Sequence, residues 1–300
     1  MSDKKPFRKR LKNNVIYLLL LGLMQGVKVL PRPLSLLLAR GLAFAGYWLA
    51  SGERQKIHAN LALAYNGRLT ENQRHDIGKR AFRNIAQNLV DALLMNRLLR
   101  KYPETIMTLE GQEHVSAAMA KKKGVIFLTA HTGCFEMLSM RFSMLGFPMI
   151  VLGAKIYDPR LNDIIVANRK SNNIAYVERG QGLKDIYRVL MNGGGFGVLC
   201  DLDTRVESRF IDFFGIPAKT PSGPFRLGVK RGIPLVPVFT VRTREGSQRV
   251  SIFPELTLTG NNEDEKITNV MKQYNDILEA LINNDPSQWI WMHERWKSKP

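Results

Sequence analysis

Apolar and polar positions divide the chain into three textures. Residues 15–50 are mostly apolar, with one run from Val15 to Val27 and a second from Leu34 to Ala50 that Arg40 interrupts; Pro31-Arg32-Pro33 separates them. Between residues 51 and 100 the pattern is helical. Ile77, Ala81, Phe82, Ile85, Leu89 and Leu93 recur at the spacing of a helix that buries one face. Thr70-Glu71-Asn72-Gln73 fits a capping box, in which the two outer side chains each satisfy a backbone N–H left free at a helix start. From about residue 105 short β-type runs alternate with helical stretches. Strands are predicted over 124–130, 148–154, 174–178, 197–202, 209–213, 234–240 and 249–253, and helices over 135–145, 159–172, 182–191, 224–231 and 264–283. Several of the strands are continuous apolar runs, as expected of strands covered on both faces. The alternation predicts an α/β sandwich, with sites just beyond the C-terminal ends of strands. Three parts follow: a basic, apolar N-terminal segment over 1–50, a helical segment over 51–104 packing on the core, and an α/β domain over 105–300.

Charge changes this picture at the N-terminus. Lys and Arg total 44 against 26 Asp and Glu, a net charge of +18 in 300 residues. Such an excess implies an anionic partner: nucleic acid, an anionic membrane surface or phosphorylated substrates. Lys4, Lys5, Arg8, Lys9, Arg10 and Lys12 lie directly before the first apolar run, with Asp3 as the single acid among them. Basic residues beside an apolar run favour a membrane anchor. The first run falls short of the roughly 20 apolar residues of a spanning helix, and the second contains Arg40. Two forms are open: one span over about residues 14–30, or a helical hairpin turning at Pro31–Pro33 that dips into one leaflet. Both compete with a pair of buried core helices. The positive-inside rule places the N-terminus in the cytoplasm, so a single span would export the remainder and a hairpin would retain it. Cys134 and Cys200 form no CxxC pair, which fits a reducing compartment and suggests neither a disulfide framework nor a zinc cluster.

Candidate chemistry lies where the first long strand ends. Gly124-Val-Ile-Phe-Leu-Thr-Ala130 runs directly into His131-Thr-Gly-Cys-Phe-Glu136. On one continuous helix, residues five apart do not face each other. With His131 at a strand end and Glu136 in the first turn of a helix, a bend through Thr132-Gly133 brings them together. Imidazole suits proton transfer near neutral pH, and a carboxylate fixes its tautomer and stabilises the imidazolium. His131 is thus the predicted general base and Glu136 its predicted partner.

His131 to Glu136 resembles the H-x4-[DE] motif of the glycerolipid acyltransferase superfamily. The surrounding chain resembles the lipid A branch, the late lauroyl/myristoyl acyltransferases of Gram-negative bacteria. The resemblance takes in Arg54 through Asn60-Leu61, Gly133, Asn168-Arg169, Asp201-Leu-Asp203, Ala218 to Gly223 and the closing Trp289-Ile-Trp-Met-His293-Glu-Arg-Trp296. It implies a mixed sheet flanked by helices, of the glycerol-3-phosphate acyltransferase type, behind a membrane-anchoring segment. It also implies acyl transfer from an acyl carrier protein thioester to a hydroxyl of a lipid A precursor, at the cytoplasmic side of an anionic inner membrane, without a cofactor or metal; coenzyme A as donor and another glycolipid or a lysophospholipid as acceptor stay open. Arg169 and Asp201 match positions important in that branch and are assigned to substrate binding. A guanidinium at Arg169 suits a phosphate or a developing oxyanion.

Other signals are weaker. Asp201-Leu-Asp203 also matches the D-x-D of metal-dependent glycosyltransferases, but nothing suggests a nucleotide-sugar pocket. Gly193-Gly-Gly-Phe-Gly197 lacks the Lys-Ser/Thr ending of a phosphate loop and reads as a turn into a strand. Cys134 reads as small core filler, and no role falls to His58, His75 or His114. Trp289, Trp291 and Trp296 fit an interfacial belt or a core segment equally. A basic protein binding nucleic acid would explain the charge but not the placement of His131 and Glu136, and no nucleic-acid motif is present.

Overall fold

The computed structural model describes residues 7–153, 158–170, 172 and 174–300. Lys4 and Lys5 of the basic start, Ala154 and Ser171 therefore lie outside the described residues. Four helices come first: α1 (Phe7–Val29), α2 (Arg32–Leu49), α3 (Ser51–Ala64) and α4 (Glu71–Lys101), followed by a single turn, α5 (Pro103–Ile106). The capping box forms as the sequence predicts, with Thr70 and Gln73 exchanging hydrogen bonds at the start of α4. Alternation then begins with β1 (Met107–Glu110), α6 (Gln112–Ala120), β2 (Val125–Thr129), α7 (Glu136–Met144), β3 (Met149–Gly153) and α8 (Pro159–Lys170). It continues with β4 (Ile174–Glu178), α9 (Leu183–Met191), β5 (Gly195–Leu199), the ribbon β6 (Ser208–Phe213) and β7 (Ile216–Pro221), and α10 (Gly223–Arg231). The chain closes with β8 (Leu235–Arg242), β9 (Gln248–Ile252) and α11 (Glu263–Asn284).

Seven strands form one sheet in the order β1-β9-β8-β2-β5-β3-β4. Strands β8, β2, β5, β3 and β4 are parallel, whereas β9 runs antiparallel to β8 and carries β1 parallel to itself. The sheet is therefore mixed and flanked by helices. Successive residues of β2 enter opposite cores, as a period of two requires. Ile126 and Leu128 pack with α11 and α9, while Val125 and Phe127 pack with α4, α6 and α7. With both faces covered, β2 is buried along its whole length, which explains its unbroken apolar run.

Three features depart from the pattern. Leu89 is 62% exposed, while the buried face of α4 includes Asn84, Gln87 and Asp91. These polar groups are buried because partners reach them: Asn84 donates to Ser287, and Asp91 accepts from Arg32 and Arg242. Strand β5 starts at Gly195, two residues before the predicted 197, within a glycine-rich stretch that reads as a turn. A Cβ at Gly195 would lie 2.6 Å from the Phe127 ring and 2.7 Å from Met149 Sδ, so any larger residue here would have to displace both core side chains. Strand β7, with Pro217 and Pro221, was not legible as a strand; it survives as one arm of an isolated two-stranded ribbon.

The N-terminal helices turn at Leu30–Pro31 and pack on α4. Among the described residues no single helix is long and apolar enough to cross a membrane; α2 and α3 reach that composition together but are bent by 84°. Their outward faces are nonetheless apolar. Leu18, Leu19, Leu23, Leu34, Leu37, Leu38, Leu42, Phe44 and Trp48 are exposed, while Leu36, Ala39, Ala43 and Tyr47 face inward. Arg32 does not reach outward: it forms a bidentate pair with buried Asp91.

Candidate active site

Strand register builds the site. Strands β2 and β5 are parallel neighbours with Thr129 beside Leu199, so two residues further on His131 comes beside Asp201. Asp201 Oδ1 lies 2.9 Å from His131 Nδ1, and Oδ2 accepts the His131 backbone N–H at 2.9 Å. An ionised carboxylate only accepts, so Nδ1 carries the proton and Nε2 is the basic nitrogen. Asp201 is 1% exposed. Burial alone would raise its pKa, but the charge of His131, the two hydrogen bonds from His131 and one from Trp289 hold it below the usual carboxylate range. Behind it, the Trp289 indole N–H donates to Oδ2 at 2.9 Å.

Glu136 takes a different partner from the one the sequence predicts. Arg169 Nη2 donates to both of its carboxylate oxygens, at 2.8 and 3.0 Å. The carboxylate hydrogen-bonded to His131 is that of Asp201. The reason is directional: Glu136 opens α7 and faces α8, which carries Arg169, whereas the neighbouring strand brings Asp201 under the imidazole. Asp201, expected at substrate contact, is buried behind His131 and is not among the residues lining the cavity. The intervening turn depends on Gly133 at φ +47°. A Cβ there would lie 2.5 Å from the Thr240 carbonyl oxygen and 2.9 Å from Gln248 Oε1. The same Gln248 oxygen accepts the Cys134 N–H at 3.1 Å.

His131, Glu136 and Arg169 all line one cavity of about 650 Å³, with Phe135, Leu152 and Leu202 on its walls. A small apolar pocket of about 50 Å³, lined by Phe127, Phe142 and Val151, adjoins it and shares Phe135, Glu136 and Leu152 with it. Gly153 lets the Arg169 guanidinium settle at 4.9 Å from the Tyr176 ring centre; a Cβ there would come within 2.8 Å of that ring and 3.1 Å of Arg169 Nη1.

Asp203 is buried and accepts the Ser298 N–H, so both carboxylates of the D-x-D are engaged with protein groups. Among the described residues no group of three or more His, Cys, Asp or Glu is arranged to hold a metal. Cys134 is buried, and burial pushes its thiol well above the ordinary value. Trp289, Trp291 and Trp296 are all buried, which decides for the core segment. His58 and His75 have partners that the sequence did not disclose: both hydrogen-bond the Tyr47 hydroxyl, at 3.1 and 2.7 Å. Trp289 was not foreseen as a site residue, and only its place in the closing motif offered a signal.

A histidine hydrogen-bonded to a buried aspartate thus lies at the strand ends of a mixed α/β sheet, on the wall of a cavity with apolar side chains beside it. The chain matches the family model described as bacterial lipid A biosynthesis acyltransferase over residues 4–298. It belongs to that family and is an acyltransferase of the lipid A type. It is similar to the lipid A biosynthesis lauroyltransferase of Escherichia coli (strain K12), 24% identical over 93% of this chain and 90% of that one. The lipid A biosynthesis palmitoleoyltransferase of the same organism is 27% identical over 64% of this chain and 61% of its own. A phosphatidylinositol mannoside acyltransferase of Mycobacterium tuberculosis (strain CDC 1551 / Oshkosh) is 21% identical, over 62% of this chain and 58% of its own.

Proposed function

We propose that the protein moves a fatty acyl chain from an acyl carrier protein thioester to a hydroxyl of a lipid A precursor, with His131 as general base. The observation that carries this reading is the His131–Asp201 hydrogen bond at the edge of a cavity with a small apolar pocket beside it. His131 Nε2 takes the acceptor hydroxyl proton as the oxygen attacks the thioester carbonyl. The tetrahedral intermediate then collapses with C–S cleavage, and the imidazolium returns the proton to the departing thiolate. Asp201 keeps the imidazole in the productive tautomer and stabilises its cation. Glu136 holds Arg169 at the cavity wall, where the guanidinium meets an anionic part of donor or acceptor. Residues 105–300 carry this chemistry, and 51–104 support it.

Residues 1–50 are proposed to attach the enzyme to the cytoplasmic face of an anionic inner membrane. The apolar outward faces of α1 and α2, with the basic start beside them, suit an interfacial anchor. Sedimentation with anionic vesicles tests this, and replacing Leu37 and Leu42 together with Asp should abolish it. The function itself is tested by offering purified enzyme an acyl carrier protein thioester and a lipid A precursor and reading the product by mass spectrometry. Transfer to the precursor supports the reading; transfer only to a mannosylated phosphoinositide, the acceptor that the mycobacterial relative's name indicates, replaces the acceptor and keeps the chemistry.

A further inference from the structure

Three tryptophans of the closing segment are buried side by side, yet their indole N–H groups go to different places. That of Trp291 donates to the Pro286 carbonyl at 2.6 Å, and that of Trp296 is buried without a partner. Burial here therefore does not force an indole onto a carboxylate. Only Trp289 is aimed at the candidate catalytic pair, at 2.9 Å from Asp201 Oδ2. Its backbone also bridges Thr132, the residue after His131, in an isolated antiparallel pairing. One residue thus touches both halves of the pair, through its side chain on Asp201 and its main chain beside His131. Its ring is fixed in turn, edge-on to Phe213 at 5.6 Å and to Trp291 at 4.8 Å between centres.

We infer that Trp289 is a positioning residue for acyl transfer, its indole N–H holding the Asp201 carboxylate in the plane that pairs with His131 Nδ1. The inference rests on His131 being the base. A carboxylate oxygen can take several donors, and Oδ2 takes two: the His131 backbone N–H and the indole. Together they pin one oxygen and leave Oδ1 for the imidazole. Without the indole the carboxylate is free to turn about its last bond, and its charge is less delocalised. Its hold on a protonated His131 is then stronger and its direction poorer. The other titratable groups around the pair are Cys200 just after β5, Tyr274 on α11, and His293 and Arg295 in the closing segment. None of them donates to Asp201.

The test is to replace Trp289 by 3-benzothienylalanine, an indole isostere with sulfur in place of N–H, alongside Trp289→Phe. The isostere keeps ring volume and packing and removes only the donor. Expected are a fall in kcat of about 10-fold, the size of one charge-directed hydrogen bond, and KM values for both substrates close to wild type. The acid limb of the kcat/KM profile should move to higher pH, because the undiluted carboxylate holds the His131 proton more tightly. The downfield proton resonance of His131 Nδ1–H, read in histidine-labelled protein without turnover, should shift as well. Wild-type kcat and an unmoved limb in the isostere would overturn the inference, as would a rise in KM alone or a lower melting temperature with kinetics and resonance unchanged. His131→Ala is assayed in parallel. Activity in that variant removes the base reading, whereas the resonance still reports whether Trp289 sets the Asp201–His131 bond.

Discussion

Two fully buried aspartates occupy different regions of this molecule. Asp201 sits at the parallel strand ends, against an imidazole that opens on a cavity. Asp91 sits where α2, α4 and the β8–β9 turn meet, held by Arg32 and Arg242, with Gln248 and Asn88 closing the network. Both carboxylates are satisfied, but their partners differ in kind. Guanidinium groups do not exchange protons near neutral pH, so the Asp91 cluster holds elements together. Imidazole does exchange them, and His131 lines a cavity. A buried carboxylate thus takes its role from the partner it orients.

The comparison is broken most strongly by removing each carboxylate in turn. His131→Ala or Asp201→Asn should lower acyl transfer by about 10²–10⁴-fold with little change in melting temperature. Asp91→Ala should do the reverse, costing about 3 kcal/mol of stability by leaving two guanidinium groups unpaired. That figure is at the low end because Arg32 keeps some solvent. Denaturant unfolding measures it, and kcat near wild type at low temperature would confirm the division. Arg169→Lys keeps the charge but not the planar guanidinium whose Nη2 donates to both Glu136 oxygens, and activity should fall by roughly 10-fold. Activity equal to wild type would demote the pair to a surface contact.

The smallest effect concerns the N-terminal layer. Burial first, then the neighbouring His75, Arg74 and Arg54, lower the pKa of His58, with Glu71 opposing. A histidine whose folded pKa is depressed contributes stability above its unfolded value of 6.5, and that stability is lost as pH falls through the folded value. Acidification below 6.5 should therefore loosen the Tyr47–His58–His75 contact that ties α2 to α3 and α4. Faster amide exchange in α2 at pH 5 than at pH 7, after correction for intrinsic rates, reads this. Tyr47→Phe should flatten the difference.

What the sequence discloses divides along the same line. Elements with strong local signals were legible: the capping box before α4, the apolar run of β2, and β4 at residues 174–178. Local signals also brought out His131 and Glu136, which share a turn. The partner of His131 was not legible, because it depends on β5 lying beside β2 in a register that places residue 201 next to residue 131. Asp201 was singled out, but for substrate contact. The Asp91 cluster was hidden for the same reason: it joins positions 32, 91, 242 and 248 across four elements. Leu89 shows the converse, since helical spacing suggests a buried face without showing which polar residues find partners on it.

Asp201, and not Glu136, is the carboxylate that orients His131. The most direct measurement is the pH dependence of kcat/KM for wild type, Asp201→Asn and Glu136→Gln with one acyl carrier protein thioester and one lipid A precursor. Removing the carboxylate hydrogen-bonded to the imidazole destabilises its cation, so the Asp201→Asn profile should show its acid limb displaced to lower pH and a plateau lowered about 10²-fold or more. Glu136→Gln should leave the limb where it stands in wild type, with its loss appearing in the plateau or in KM. A displaced limb in Glu136→Gln together with an unmoved one in Asp201→Asn would contradict the account.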